Sequence, residues 1–159
     1  MLHTKLFMPP LRPFNVPRPH LVAKLNDRLW LDGRFHRPLT LIAAPAGFGK
    51  TSLALQWLAA PLCPVAWLSL DEADNDPARF AAYWLAALQQ VAPTLGAGLL
   101  ASLPTPLNSL QPLVTQLLNQ IAALGQPLLL VLDDFHLLEN KLVQTAVSLF
   151  VEHLPPNAH

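Results

Sequence analysis

One eight-residue stretch constrains this chain more than any other. Ala44-Pro45-Ala46-Gly47-Phe48-Gly49-Lys50-Thr51 follows a short apolar run, Pro38 to Ala44, and leads into a helical pattern from Thr51 to Ala60. It matches G-x-x-x-x-G-K-[ST] at every fixed position except the first, where Ala44 stands. Glycines let the backbone turn tightly and aim its N–H groups inward, and the following helix adds the partial positive charge of its N-terminus. A buried strand that ends, turns and starts a helix within so few residues belongs to an α/β layer.

The rest of the chain keeps that alternation. Residues 1–20 hold Pro9, Pro10, Pro13, Pro17 and Pro19 and are expected to be extended. Leu21, Val22, Leu25 and Leu29 are spaced for a helix over His20 to Leu31, ended by Asp32-Gly33. Pro38 to Ala44 reads as a buried strand, and Pro61 and Pro64 break the helix after the loop. Val65 to Leu70 reads as a second strand, followed by the acidic loop Asp71 to Asp76. Asp76 is suited to cap a helix with Pro77 in its first position, and Phe80, Tyr83, Trp84, Ala87, Leu88 and Val91 mark that helix's inner face. A proline-rich connector spans Pro93 to Pro112. Leu113 to Leu124 reads as a helix with Leu117, Leu118 and Ile121 inward, Leu128 to Leu132 as a strand buried on both faces, and Leu137 to Leu154 as a last helix. The fold class is therefore α/β, a parallel sheet with helices on both faces, divided as an N-terminal arm and helix over 1–37 and a nucleotide-binding domain over 38–159.

The chemistry follows from the corner. Ala46, Gly47, Phe48, Gly49, Lys50, Thr51 and Ser52 form a cradle for polyphosphate, with Lys50 placed for the β- and γ-phosphates and the Thr51 hydroxyl for Mg2+. The expected ligand is ATP with Mg2+. A Gly-rich turn alone occurs in many strand-to-helix connections, but it does not account for Lys-Thr directly after the glycine. The second signal is Asp133-Asp134 after the apolar run 128–132. Adjacent carboxylates there are costly unless a cation lies near. Asp133 is the candidate metal-side acid and Asp134 the candidate group for activating water. The simpler reading is that one of them caps the next helix.

Composition limits the alternatives. The chain has 159 residues, 52% hydrophobic and 13% charged, enough for one domain with a sizeable core. Net charge is zero, yet residues 1–40 carry seven Lys/Arg against two Asp, leaving that segment at +5 and the remainder at −5. A basic arm could meet phosphates, or simply be solvated. Cys63 is the only cysteine, which excludes an internal disulfide and a Cys-rich metal site and fits a cytoplasmic location. The acidic loop lacks the glycine and glutamate of a calcium loop, the histidines show no ligand spacing, and Trp30, Trp57, Trp67 and Trp84 read as core. Phe80 to Leu132 contains no charged side chain, but prolines and glycines break it too often for a membrane span; it is expected to pack against something, in this chain or beyond it.

Several segments together resemble the N-terminal ATPase part of the large ATP-binding LuxR-type transcriptional regulators, signal-transduction ATPases of the STAND class. They are Val16-Pro17-Arg18-Pro19 with Leu21 and Leu25, then LTLIAAPAGFGKTSLALQWL (39–58), VAWLSLDEADNDPARFAAYWLAAL (65–88), LLLVLDDFHLL (128–138) and VEHLPPN (151–157). The resemblance covers nearly the whole chain, and the family commonly has Ala where Ala44 stands. It implies Lys50 and Thr51 on phosphate and Mg2+, Asp133 on the metal side, and Val16 and Arg18 in an arm that approaches the adenine. It also implies parts not seen here: a further strand with a sensor arginine, a winged helix, an inducer domain and a C-terminal helix-turn-helix. The further strand would lie between the loop's strand and the Asp133 strand, so this piece is expected to have a gap in its sheet and marginal stability alone. As partners the resemblance implies ATP, the remaining domains and self-association, with no membrane and no DNA binding by this piece alone. Two other readings compete. A small P-loop kinase would need an Arg-rich lid, yet Arg79 is the only arginine after Lys50. A degenerate interaction module is motivated by the charge-free stretch.

Overall fold

The computed structural model describes residues 1–102 and 108–159. Its centre is a parallel pair of strands, β3 (Val65–Ser69) and β4 (Leu129–Asp133), with Val65 opposite Leu129 and Ser69 opposite Asp133. The alternation of side chains divides two cores. Ala66, Leu68, Leu128, Leu130 and Leu132 face one, and Trp67, Leu129 and Val131 face the other.

The larger core lies under α3 (Pro77–Gln89), α4 (Gln111–Ala123) and α5 (Lys141–Glu152). The expected cap of α3 is present: Asp76 Oδ1 accepts from Arg79 N at 2.7 Å, with Pro77 in the first turn. Phe80, Tyr83, Trp84, Ala87 and Leu88 are buried as their spacing predicts, with Val91 half-buried. The second core lies under α1 (Pro19–Asn26), α2 (Lys50–Trp57) and a small antiparallel ribbon, β1 (Trp30–Leu31) with β2 (Arg34–Phe35). Helices thus cover both faces of the sheet. Trp57, Trp67 and Trp84 are buried and Trp30 packs at the edge of the second core.

The charge-free stretch finds its explanation inside the chain. Leu85, Leu88, Leu95, Leu110, Leu113, Val114, Leu117 and Ile121 all enter the larger core. Among the described residues no helix is long and apolar enough to cross a membrane. Residues 103–107 of the Pro93–Pro112 connector lie outside the described residues.

Four expectations need correction. Pro38 to Ala44 forms no strand: Leu39 and Leu41 are exposed and only Ile42 packs on the second core. Among the described residues no strand pairs with it. Between this segment and β4 lie only Asn157–His159, where Leu128 N donates to Asn157 O, His159 N to Leu128 O and Leu130 N to His159 O at 2.8–3.2 Å. His159 then bridges to the loop side. Its Nδ1 lies 2.7 Å from Arg37 O and its Nε2 2.9 Å from Thr40 Oγ1. A carbonyl only accepts, so Nδ1 carries the proton and Nε2 takes the Thr40 hydroxyl. For the same reason β4 is not buried on both faces; beyond Leu129 its residues are half-buried. The helix expected to Leu31 stops at Asn26, where Asp27 (ψ 118°) and Arg28 (φ 51°) leave helical geometry, and Asp32 and Gly33 (φ 53° and 76°) then form a tight hairpin turn. The last helix begins at Lys141, capped by Asn140, and Phe135–Leu137 is a separate 3-10 turn. Within the extended N-terminal segment, His3–Leu6 also forms one such turn.

That N-terminal turn is fastened by charge. Asp74 is wholly buried, Lys5 is 6% exposed, and the two form an ion pair. Arg79 Nε donates to Asp74 Oδ1 at 3.0 Å, and the Asp71 backbone N–H donates to Asp74 Oδ2 at 2.9 Å. Lys5 also bonds Asp71 at 2.9 Å, which holds the Asp71 carboxyl below its ordinary range. Lys5 and Arg79 both lie over the Tyr83 ring, and the Tyr83 hydroxyl accepts from Leu2 N. Removing one partner of such a buried pair costs about 3–5 kcal/mol, because the other charge stays buried. Asp74→Ala is therefore expected to lower the unfolding free energy by about that amount. Lys5→Met, which leaves Asp74 its Arg79 partner, is expected to cost markedly less. Urea denaturation midpoints compare the two, and equal losses would contradict this account.

Candidate functional site

The two signals read from the sequence meet in space. Thr51 Oγ1, in the first turn of α2, lies 3.0 Å from both Asp133 Oδ1 and Asp133 Oδ2. Register positions Asp133: it ends β4 opposite Ser69, at the carboxyl end of the parallel pair. The loop positions Thr51. Gly47 and Gly49 take φ of 80° and 79°, which an L side chain adopts only under strain, and Gly49 is the residue from which α2 starts. No side chain caps α2 there, so its first-turn N–H groups at Lys50, Thr51 and Ser52 face the loop's concavity as donors.

Lys50 curls over the same corner, its Nζ 3.0 Å from Ala44 O and 3.4 Å from Pro45 O. Ala46 and Phe48 are exposed at the loop's tip, Phe48 at 63%. Burial raises the Asp133 pKa above its ordinary value, Thr51's hydrogen bond opposes that rise, and neighbouring Asp134 adds to it. Desolvated and held only by the Thr51 hydroxyl and a long bond from Asp134 N, this carboxylate would gain from a cation beside it. Neither acid caps α5, since that role falls to Asn140, whose side chain accepts from Leu142 N at 2.8 Å. Asp134 sits at φ 59°, a conformation Asp tolerates better than most residues, with Oδ1 3.8 Å from His136 Nδ1. Cys63 is buried in the second core, and burial pushes its thiol up to about 11, far from reactive.

The N-terminal arm reaches this corner. Arg18 Nη1 donates to Phe48 O at 3.0 Å, and a Cβ on Gly49 would stand 3.3 Å from Arg18 Nη2. Val16 is 69% exposed beside it. Sequence reasoning missed Gln56, which binds the arm from α2: its Oε1 accepts from Arg18 N at 2.7 Å and its Nε2 donates to Val16 O at 3.0 Å. The available signal was an amide between Leu55 and Trp57 in the otherwise apolar run Leu53 to Ala60. Arg79, engaged with Asp74 and Asp71, is committed to the opposite core's ion cluster.

Mg2+ typically takes one or two protein oxygens and keeps phosphate and water for the rest. Thr51 and Asp133 suit that donor set, and no group of three or more His, Cys, Asp or Glu able to cage a metal occurs among the described residues.

Comparison with known proteins agrees with this geometry. Residues 17–158 match the model of the AAA ATPase domain. The chain is also similar to proteins named HTH-type transcriptional regulator MalT. It is 39% identical over 160 residues to that of Cronobacter sakazakii, covering 98% of this chain and 16% of the relative. It is 39% identical over 158 residues to that of Klebsiella pneumoniae and 38% over 163 residues to that of Serratia proteamaculans, covering 99% of this chain and 17% of each. The chain thus spans under a fifth of the length of these relatives. With a matching family model over most of its length, and with the glycine loop, the Thr51 hydroxyl and Asp133 at one corner, this chain belongs to the AAA ATPase domain family.

Proposed function

We propose that this chain binds ATP with Mg2+ and acts as the nucleotide-dependent switch module of a LuxR-type, signal-dependent transcriptional regulator working in the cytoplasm. The observation that carries the nucleotide half is the Thr51–Asp133 contact beneath an uncapped helix N-terminus. The regulator half rests on similarity along the whole chain to proteins named as transcriptional regulators. In this reading the amides of Ala46 to Ser52 take the phosphates, Lys50 leaves its carbonyls for the β- and γ-oxygens, and Val16 and Arg18 approach the adenine. Mg2+ on Thr51 and Asp133 would offset phosphate charge. Asp134 accepts the proton of a water that attacks the γ-phosphate, and hydrolysis in the intact regulator is slow. ATP binding favours a self-associating state and hydrolysis resets it, with the remaining domains supplying DNA recognition. The ion cluster supports this over a kinase reading, because it engages Arg79, the one arginine that follows Lys50 and could belong to a lid there.

Titration calorimetry of the 159-residue chain with ATP tests the site. Magnesium-dependent binding is expected, weakened about 30-fold in Lys50→Ala, the loss of a charge-assisted contact worth roughly 2 kcal/mol. No magnesium-dependent heat would overturn the reading.

Asp133 gives a second test. Its pKa is raised in the folded chain, so folding takes up a proton, and its contribution to stability falls as pH climbs from the ordinary carboxylate value through the raised one. At neutral pH the ionised group is a net cost to the ligand-free chain. Asp133→Asn, which keeps an acceptor for Thr51, is expected to raise the melting temperature at pH 7 by about 2 °C. The gain should vanish at acid pH, and magnesium should no longer tighten ATP binding. A variant that melts lower at pH 7 and binds MgATP normally would refute the assignment.

A further inference from the structure

The arm that carries Val16 and Arg18 has little of its own to hold it. Pro13, Pro17 and Pro19 stiffen it, Arg12 O accepts from Asn15 N, and Phe14 and Val16 are 97% and 69% exposed. A single side chain on the phosphate-loop helix clasps it. Gln56 lies five positions after Thr51 and uses both ends of its amide. The oxygen takes the Arg18 N–H at 2.7 Å and the nitrogen donates to the Val16 carbonyl at 3.0 Å. These opposed demands fix the amide's orientation, since Arg18 N can only donate and Val16 O can only accept. Pro17 between them has no N–H to offer. The result is a two-point clamp that a longer or shorter side chain could not reproduce.

The clamp also aims Arg18. With its backbone N–H on Gln56 and its carbonyl accepting from Leu21 N and Val22 N at the start of α1, the side chain is left to reach Phe48 O and lie against Gly49. Arm, helix and loop therefore form one unit, whose order is set before any ligand arrives. A ligand bridging loop and arm would not meet the cost of ordering the arm itself.

We infer that Gln56 is a positioning residue for nucleoside recognition: it couples the Val16–Arg18 arm to the phosphate loop, so that the site prefers a nucleoside triphosphate over bare triphosphate. This rests on the nucleotide reading above and names what gives it discrimination. Gln56 touches no phosphate. Its loss should leave the loop, Lys50 and the Thr51–Asp133 pair as they are.

Gln56→Met tests it, keeping length, helix propensity and packing while removing both hydrogen bonds. Calorimetry with ATP and with inorganic tripolyphosphate, each with magnesium, is run on the unsubstituted chain, Gln56→Met and Lys50→Ala. The expected result is about a tenfold loss of ATP affinity in Gln56→Met, as two modest hydrogen bonds imply, with tripolyphosphate affinity unchanged. Lys50→Ala should lose both ligands together. A merely structural role for Gln56 would weaken both ligands in parallel and lower the melting temperature, and that outcome overturns the inference. So does an unchanged ratio of ATP to tripolyphosphate affinity while Lys50→Ala still weakens both. If Lys50→Ala binds ATP as the unsubstituted chain does, the nucleotide reading itself falls. Amide exchange supplies the readout should Gln56→Met melt too low for calorimetry. ATP is expected to slow exchange at Val16 and Arg18 in the unsubstituted chain, and no such slowing there would equally overturn the inference.

Discussion

The register of β3 against β4 is the constraint on which the rest of this structure depends. Val65 opposite Leu129 through Ser69 opposite Asp133 sends Leu68, Leu130 and Leu132 toward α3, α4 and α5, and Trp67, Leu129 and Val131 toward α2. A slip of β4 by one residue against β3 would turn its side chains over, sending Leu129 and Val131 into the larger core and Asp133 away from Thr51. The pairing is pinned beyond its ends as well, with Leu129 N donating to Pro64 O and Leu70 N to Asp133 O at 3.0 Å. Packing and chemistry are therefore specified by the same hydrogen-bonded ladder.

The fold treats a wholly buried acid and a half-buried one in opposite ways. Asp74 receives Lys5, Arg79 and a backbone N–H, and with them it ties the N-terminal turn to α3. Asp133 receives one hydroxyl and a long bond from Asp134 N at 3.2 Å, and its proton is held more tightly than in water. The first arrangement is closed and structural, with every oxygen satisfied. The second is a carboxylate left short of partners beside a lysine that holds only loop carbonyls. Within one chain the contrast separates an acid whose partners tie the fold together from one left with few partners at the loop's corner.

Much of this was legible in the sequence because it is local. Proline and glycine punctuation, the Asp76-Pro77 start and the spacing of Phe80, Trp84 and Leu88 depend on neighbours a few residues away, and α2 to α5 and both central strands appear near where those signals fall. The loop motif likewise carries its own geometry. Failures came where distant backbone decides. Pro38 to Ala44 has the composition of a strand, but strand structure requires a partner, and Asn157–His159 reach only the first half of β4. Leu29 fits a helical stripe and is indeed 1% exposed, yet it reaches the core from a loop before a hairpin. The Asp32-Gly33 pair was a hairpin signal outweighed by that stripe. Neither the Lys5–Asp74 pair, 69 positions apart, nor the grip of Gln56 on Val16, 40 positions away, has any local signature.

The phosphate loop consequently owes its position to the side away from the sheet. Parallel sheets ordinarily hold such a loop by the strand that precedes it, through backbone bonds on both edges. Here the preceding segment contributes Ile42 to the second core and the Thr40 hydroxyl to His159, while α2 and the Gln56-clasped arm hold the loop from behind. A site anchored on one flank can keep its phosphate cradle intact while the other flank is rearranged. The contacts of Arg18 and Gln56 and the contact of Thr40 with His159 thus lie on separate flanks of the loop. Under the function proposed above, that separation would let a change on the sheet side act at Thr51 and Asp133 while the arm keeps its clasp on α2.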